Sequence, residues 1–260
     1  MVDSIVVRNV TKDFTMQYHR TLKQMAVATV RGLPLKEQFQ AVNDVSFTVE
    51  QGESIGLMGL NGSGKSTLLK LINGVMRPDQ GTIRTRGRIA GLIATGAGFQ
   101  PQMSGRDNLF LNGAILGMNE AEIKRKFDAI VDFADIGKFL DTPVSHYSSG
   151  MYARLGFSIA IHVDADIFLA DEVLAVGDRP FKKKCVVKMQ EIRQQGTTIF
   201  YVSHAAASVR SMCDRVLVLE SGHLNFDGGV DEGIRYLQYD DDADEIAEFG
   251  EQDEELGADV

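Results

Sequence analysis

The chain has 260 residues, 27 Lys+Arg against 36 Asp+Glu, a formal charge of −9, and 44% hydrophobic residues. The excess acid is local: 11 acids and no base fall between Asp240 and Val260, so residues 1–239 carry about +2. A nearly neutral body lacks the basic excess of a dedicated nucleic-acid binder, and no nucleic-acid partner is expected.

Two cysteines, Cys185 and Cys213, make no disulfide framework and fit no metal spacing. A reduced, cytosolic setting is expected. No apolar run approaches the ~18 residues of a membrane-spanning helix, and MVDSIVVRNVTKDF lacks the basic start and long apolar stretch of a signal peptide. Service at a membrane would need a partner that does the spanning.

In chain order, short β-type runs open at Ser4–Val10 and Ala41–Val49, where Val45, Phe47 and Val49 alternate with polar residues. Residues 15–40 between them look inserted: Leu22, Met25, Ala26, Val30 and Leu33 recur at helical spacing, and Gly32 and Pro34 close the pattern. Ser54–Met58 leads into glycine-rich 59–64, with a helix near Lys65–Val75 and one strand over Ile83–Ile89. Residues 104–163 are mostly helical in pattern, clearest at Glu120–Phe133 and Ser149–Val163. Strands return at Ile167–Ala170, Thr197–Val202 and Arg215–Leu219. Strands separated by helices predict an α/β fold with a mostly parallel, helix-covered sheet, and the strand-free block predicts a separate helical lobe at about 100–163. The acidic segment 240–260 is of low complexity and is expected to be disordered.

Gly59, Leu60, Asn61, Gly62, Ser63, Gly64, Lys65 and Ser66, followed by Thr67, match the phosphate-binding loop pattern. Glycines there admit positive φ and let backbone N–H groups approach phosphate oxygens. The helix that follows points its positive end at the same anion. Lys65 is expected to hold the β- and γ-phosphates of ATP or GTP, and the Ser66 hydroxyl to ligate Mg²⁺. Asp166–Glu172 is an apolar run ending in two acids. Asp171 is placed to reach Mg²⁺, and Glu172 to polarise the water that attacks the γ-phosphate. Small residues at Tyr147-Ser148-Ser149-Gly150-Met151 suit plain N-capping of the next helix as well as a phosphate docking on it.

The order of these motifs, with Ser203-His204 after them, resembles the ATP-binding-cassette ATPases over about residues 4–237. The resemblance implies a phosphate-loop core with a mostly parallel sheet, an antiparallel β subdomain and a helical subdomain, within a nucleotide-binding domain at 1–239. It implies two copies of the chain closing head to tail over two ATP molecules. Ser148, Ser149 and Gly150 of one copy then contact the γ-phosphate held by Lys65 of the other. His204 becomes the switch that senses this phosphate and orients Glu172. Phe14 matches the aromatic that stacks on adenine, with Tyr18 as the other candidate, and Asp178 matches the loop that crosses to the partner copy. The family's Mg²⁺-ligating glutamine has no clean match: Ala94 or Thr95 stands in its place, with Gln100 a weak candidate and Gln102 beyond it.

Finer phrases narrow the subfamily. Tyr-Ser-Ser-Gly-Met-Tyr-Ala-Arg-Leu (147–155), Asp-Glu-Val-Leu-Ala-Val-Gly-Asp (171–178) and Gly-Ala-Gly-Phe (96–99) resemble the ATPase subunits of polysaccharide, O-antigen and teichoic-acid exporters, most of all the short actinobacterial form that serves cell-wall galactan. That resemblance implies a separate polytopic membrane permease in two copies, a lipid-linked glycan reached through it, and a place on the cytoplasmic face of the cell membrane. Longer relatives add a carbohydrate-binding domain after the cassette. Here the acidic segment stands in that place, so glycan recognition by that route is not expected. Four bases (Arg20, Lys23, Arg31, Lys36) without an acid between Asp13 and Glu37 suggest that the insertion faces the membrane subunit and an anionic surface, although a helix packed on the cassette fits as well. Two other readings remain open here. A soluble cassette ATPase, as in sulfur-cluster assembly, lacks only the permease. A scaffold that binds ATP without hydrolysis is opposed by Glu172 and His204.

Overall fold

A computed structural model describes residues 2–17, 36–92, 96, 98–171 and 177–237. Strands β1 (Asp3–Gln17) and β2 (Lys36–Glu50) pair antiparallel, and the ladder runs out to Gln17 opposite Lys36. Residues 15–17 and 36–40 of the expected insertion are therefore strand. Its remainder, with Tyr18 and the bases Arg20, Lys23 and Arg31, lies outside the described residues, as do Ala94, Thr95, Glu172 and residues 240–260. Strand β3 (Ser54–Met58) follows, then helix α1 (Lys65–Ile72) and strand β4 (Gln80–Thr85), which completes a three-stranded sheet in the order β2-β1-β4.

The single strand expected over Ile83–Ile89 is two strands in two sheets. After β4 the chain turns at Gly87, with φ 93°, and restarts as β5 (Ile89–Leu92). A Cβ on Gly87 would lie 2.3 Å from the Asp166 carboxylate, which accepts the Arg88 backbone N–H at 2.7 Å. Arg84, Arg86 and Arg88 alternate with Ile83, Thr85, Gly87 and Ile89 straight across the break, so the period-two pattern alone could not show the turn.

The second sheet collects β5, β6 (Ile167–Asp171), β7 (Thr198–Val202), β3, β8 (Arg215–Glu220) and β9 (His223–Gly228) in that order. All neighbours are parallel except β8 and β9. Both faces of its central strands β3, β6 and β7 are covered, which is why these read as nearly continuous apolar runs. Ile55, Leu57, Ile167, Leu169, Phe200, Val202, Leu217 and Leu219 face the antiparallel sheet and α1. Met58, Phe168, Ala170, Ile199, Tyr201 and Val216 face the other helices. Each fully buried side chain of this kind stabilises the fold by about 1.5–3 kcal/mol before entropy is counted.

The predicted lobe holds α2 (Gly105–Ile115), α3 (Glu120–Ala134) and α4 (Ser149–Ile161), each started by a polar cap: Ser104, Asn119 and Ser148 accept N–H groups three residues on. Nη1 of Arg88 donates to both carboxylate oxygens of Glu122, at 2.9 and 3.1 Å, and this ion pair fastens the lobe beside β5. Helices α5 (Arg179–Gln194), α6 (Ala206–Met212) and α7 (Val230–Tyr236), with β9, have no counterpart in the sequence reading. In α5 the helical stripe Phe181, Cys185, Met189, Ile192 is buried amid lysines, a signal that basic composition obscured. Both cysteines are buried, and desolvation pushes each thiol up to about 12. They are core residues.

Candidate functional site

The topology gathers the expected site on one edge of the parallel sheet. Val202 of β7 lies level with Leu57 of β3 on one side and Asp171 of β6 on the other. The loop starting at Gly59, the Ser203-His204 pair and Asp171 therefore leave three adjacent strand ends, the edge at which parallel sheets bind ligands.

The loop is fixed from below by main chain. Gly59, Gly62 and Gly64 have φ of 143°, 82° and 106°. A Cβ on Gly59 would lie 2.1 Å from the Leu219 carbonyl oxygen, and one on Gly64 would lie 2.1 Å from that of Ala41, so no side chain fits at either position. Gly222, in the turn after β8, donates its N–H to Ser63 O at 3.0 Å and accepts from Asn43 N at 2.8 Å. The loop is thus clamped between β2 and the β8–β9 turn.

What it presents upward is positive. Helix α1 starts at Gly64 with no side-chain cap and no acid in its first turn, which leaves its N–H groups for an anion. Lys65 is 7% exposed and curls over the loop, donating to Gly59 O at 2.6 Å and Leu60 O at 3.0 Å. The Ser63 hydroxyl is buried without a hydrogen-bond partner in the described structure. Ser66 is exposed, Thr67 half-buried, and Leu60, Asn61 and Gly62 form the exposed rim.

Asp171 closes β6 half-buried, and His204 is exposed one residue past Ser203, whose hydroxyl accepts the Ala205 N–H at 3.1 Å. Glu172 follows Asp171 outside the described residues. Phe14 is half-buried on β1, opposite Phe39. That places it two residues along β2 from Ala41, whose carbonyl abuts Gly64. Lys12 lies 5.8 Å from the Phe14 ring centre and pairs with Asp79 at 2.9 Å. Gln100 has an exposed side chain, and its main chain is held by Asn108 of α2, past the Gly96–Phe99 turn.

Ser148, Ser149 and Gly150 sit apart from this edge, at the start of α4. The Ser148 hydroxyl accepts the Met151 N–H at 3.2 Å, so capping is occupied locally as one of the two readings required. The same residues line an open hollow of about 520 Å³ together with Met151, Arg154, Gly177 and Asp178. Asp178 caps α5 and takes a 2.5 Å hydrogen bond from Arg154. Desolvation opposes its charge, but the bonds from Arg154 and the Phe181 N–H outweigh it and hold the carboxyl below its ordinary value. Arg154, whose guanidinium also lies 5.1 Å from the Phe181 ring centre, was missed by the sequence reading although it stands inside the quoted 147–155 phrase.

A lysine-bearing glycine loop feeding an uncapped helix, on the same sheet edge as a strand tipped by Asp171, defines the class as a phosphate-loop nucleoside triphosphatase. The family model described as ABC transporter matches residues 42–175. The chain belongs to that family and is an ABC-type ATPase. It is 50% identical over 190 residues to the ABC transporter protein AbcA of Aeromonas salmonicida, covering 73% of this chain and 62% of that one. It is 40% identical over 230 residues to the O-antigen export system ATP-binding protein RfbB of Klebsiella pneumoniae, covering 87% of this chain and 94% of that one. The chain thus spans less than two thirds of the first relative and nearly all of the second. A dimeric ATP-binding cassette solved in a post-hydrolysis state with ADP and phosphate shares the fold, with a TM-score of 0.69 at 20% identity over 87% of this chain and 98% of that one. The expected family and fold are borne out.

Proposed function

We propose that the chain is the ATP-hydrolysing subunit of an exporter that moves a lipid-linked polysaccharide through a separate membrane permease, with galactan as the cargo its motif phrases favour. Kinship with an O-antigen export ATPase supports the cargo class. Among the described residues no helix is long and apolar enough to cross a membrane, so the spanning part would belong to the permease. The working unit is two copies head to tail on the cytoplasmic face, bound to two permease copies.

One observation carries the shared site. The hollow at Ser148–Gly150 is lined by Asp178 and Arg154 but by no residue of the phosphate loop. A single copy holds two half-sites facing different spaces.

In the closed pair, Lys65 and the α1 N–H groups bind the β- and γ-phosphates, Phe14 stacks on the adenine, and Ser148, Ser149 and Gly150 of the second copy contact the γ-phosphate. Asp178 crosses beside them. Glu172 takes a proton from water as the water oxygen attacks the γ-phosphorus and the bond to the bridging oxygen of ADP breaks. His204 orients Glu172. Ser66 and Asp171 offer the hard oxygen donors that suit Mg²⁺, Ser66 exposed at the helix start and Asp171 at the strand tip, with Gln100 as a weaker third. The ion would supply neutralisation of phosphate charge.

Mixing two inactive variants tests the arrangement. Lys65→Ala chains and Ser148→Arg chains should each fail to hydrolyse ATP, yet their mixture should regain turnover, because half-and-half dimers keep one intact site. No recovery on mixing overturns the shared site. Co-purification of the tagged chain with a polytopic protein and a glycolipid tests the exporter assignment, and isolation with neither overturns it.

A further inference from the structure

The loop after β5 and the start of α4 are joined on both sides of Ser148. Before it, Val144 N donates to Met103 O and Ser145 N to Pro101 O, both at 3.0 Å, while Gly105 N donates to Thr142 O at 3.2 Å. After it, the Tyr152 hydroxyl donates to Gly96 O at 2.9 Å, and its ring meets Phe99 edge-on at 4.9 Å. Gly96 has φ 76°, and a Cβ there would lie 2.4 Å from Tyr152 Cε1, so glycine is what lets the ring rest on this backbone. The same carbonyl accepts Phe99 N at 3.0 Å, closing the turn that Tyr152 holds.

Between the two joins the loop is stiffened from within. Asn108 is fully buried. Its Oδ1 accepts Gln100 N at 2.6 Å, and its Nδ2 donates to the carbonyls of Gln100, Met103 and Ser104 at 2.9–3.1 Å. Residues 96 and 98–104 therefore have few independent motions and follow whatever holds their ends. At the far end that is main-chain pairing. At the end next to β5, and so next to Asp171 of the neighbouring strand, it is, among the described residues, the Tyr152 hydroxyl on Gly96 and the Tyr152 ring on Phe99.

We infer that Tyr152 is a positioning residue for hydrolysis: through Gly96 it makes the loop bearing Gln100 move with the helix whose start meets the partner's nucleotide. This rests on the shared-site reading above. It gives a route by which the γ-phosphate bound at one copy's Ser148 sets the loop beside that copy's own Asp171, without the family's glutamine at the strand end. The phrases 96–99 and 147–155 are both plain in the sequence, but only the fold joins them.

Tyr152→Phe tests the inference, since it keeps the ring on Phe99 and removes only the hydroxyl. In the full nucleotide-free chain, hydrogen exchange at the Phe99 and Gln100 amides should quicken about fivefold, the size of one hydrogen bond's net contribution. Amides of α4 should keep their rates, and Tm should stay within about two degrees. In a Glu172→Gln background, ATP should protect both 96–104 and 148–155; adding Tyr152→Phe should leave protection at 148–155 alone. In the otherwise unsubstituted chain, kcat should fall several-fold with KM for ATP nearly unchanged. Gly96→Ala, which pushes the ring away, should reproduce this split. Unchanged exchange at Phe99, undiminished ATP protection at 96–104, or a kcat loss matched by a general loss of Tm overturns the inference alone. Absence of ATP protection at 148–155 in the Glu172→Gln chain overturns the shared-site reading and the inference with it.

Discussion

Two helix starts in this chain are proposed to meet phosphate, and they are built in opposite ways. Helix α1 begins at a left-handed glycine with no side-chain cap, over a buried lysine, and its loop is jammed against the carbonyls of Leu219 and Ala41. Helix α4 begins at an exposed serine whose hydroxyl already caps Met151. The first leaves donors unsatisfied at the helix start and at the buried Ser63 hydroxyl, and on the proposed reading it binds an anion by itself. The second is content without a ligand and lies in the open. A helix start that leaves its N–H groups and a buried hydroxyl unsatisfied is poised for tight binding, whereas a capped one adds a contact only when something else brings the phosphate to it.

The contrast is most sharply tested by separating binding from turnover. Glu172→Gln should retain ATP affinity in equilibrium binding while steady-state phosphate release falls by about 10²–10⁴, the worth of a general base. Near wild-type release would remove Glu172 from that role. Lys65→Ala should weaken ATP binding at least about a hundredfold, because it deletes charge-assisted hydrogen bonds worth about 1.5–3 kcal/mol each. Isothermal titration measures it, and an affinity within about threefold would show that the uncapped helix alone carries the site.

Ser148→Ala should behave differently. Loss of the cap should lower stability by about 1 kcal/mol in denaturant unfolding. ATP affinity of the isolated chain should not change, while turnover drops. A large fall in affinity would mean that one copy uses both helix starts on one nucleotide.

The smallest effect is one of pH, in the lobe that carries α4. Burial is the main cause that holds His162 below its ordinary value of 6.5, with Lys188 and Lys126 adding to it and its bond to Ser158 O opposing. Because the folded-state pKa is depressed, the unfolded chain takes up the proton first as pH falls. Stability should therefore be unaffected above about pH 7 and decline as pH drops through 6.5 toward the folded value. Thermal unfolding at about pH 7 and pH 5 should show a smaller drop for His162→Gln than for the wild type. An equal drop would assign the acid sensitivity to other groups.

Much of the phosphate site was legible because it is local. Gly59 to Thr67 is a strand end, a loop and a helix start in nine consecutive positions, and each residue type has its own reason there. The strands at Ser54–Met58 and 167–170 were equally plain, since burial on both faces makes Ile55–Met58 and Ile167–Ala170 unbroken runs without a polar side chain. The antiparallel edge was harder. Strand β9 carries His223, Asn225 and Asp227 on its exposed side and only Leu224 and Phe226 on the other, too short an alternation to stand out. The regular alternation of arginines between Ile83 and Ile89 hid a change of sheet at Gly87.

The sequence by itself supplied the candidate chemistry: a phosphate-loop pattern at 59–67, an acid at the tip of the strand ending in Asp171, and a serine that opens a helix. These follow from residue type and from spacings of a few positions, where local geometry has little choice. Only the tertiary structure decided which of these meet. It set β7 between β6 and β3, so that Asp171, His204 and Gly59 share an edge, and it put the Leu219 and Ala41 carbonyls under the two glycines that cannot be replaced. It also laid Tyr152 on Gly96, 56 positions away. Such contacts depend on how whole layers pack, and a periodicity of two or 3.6 residues carries no record of that packing.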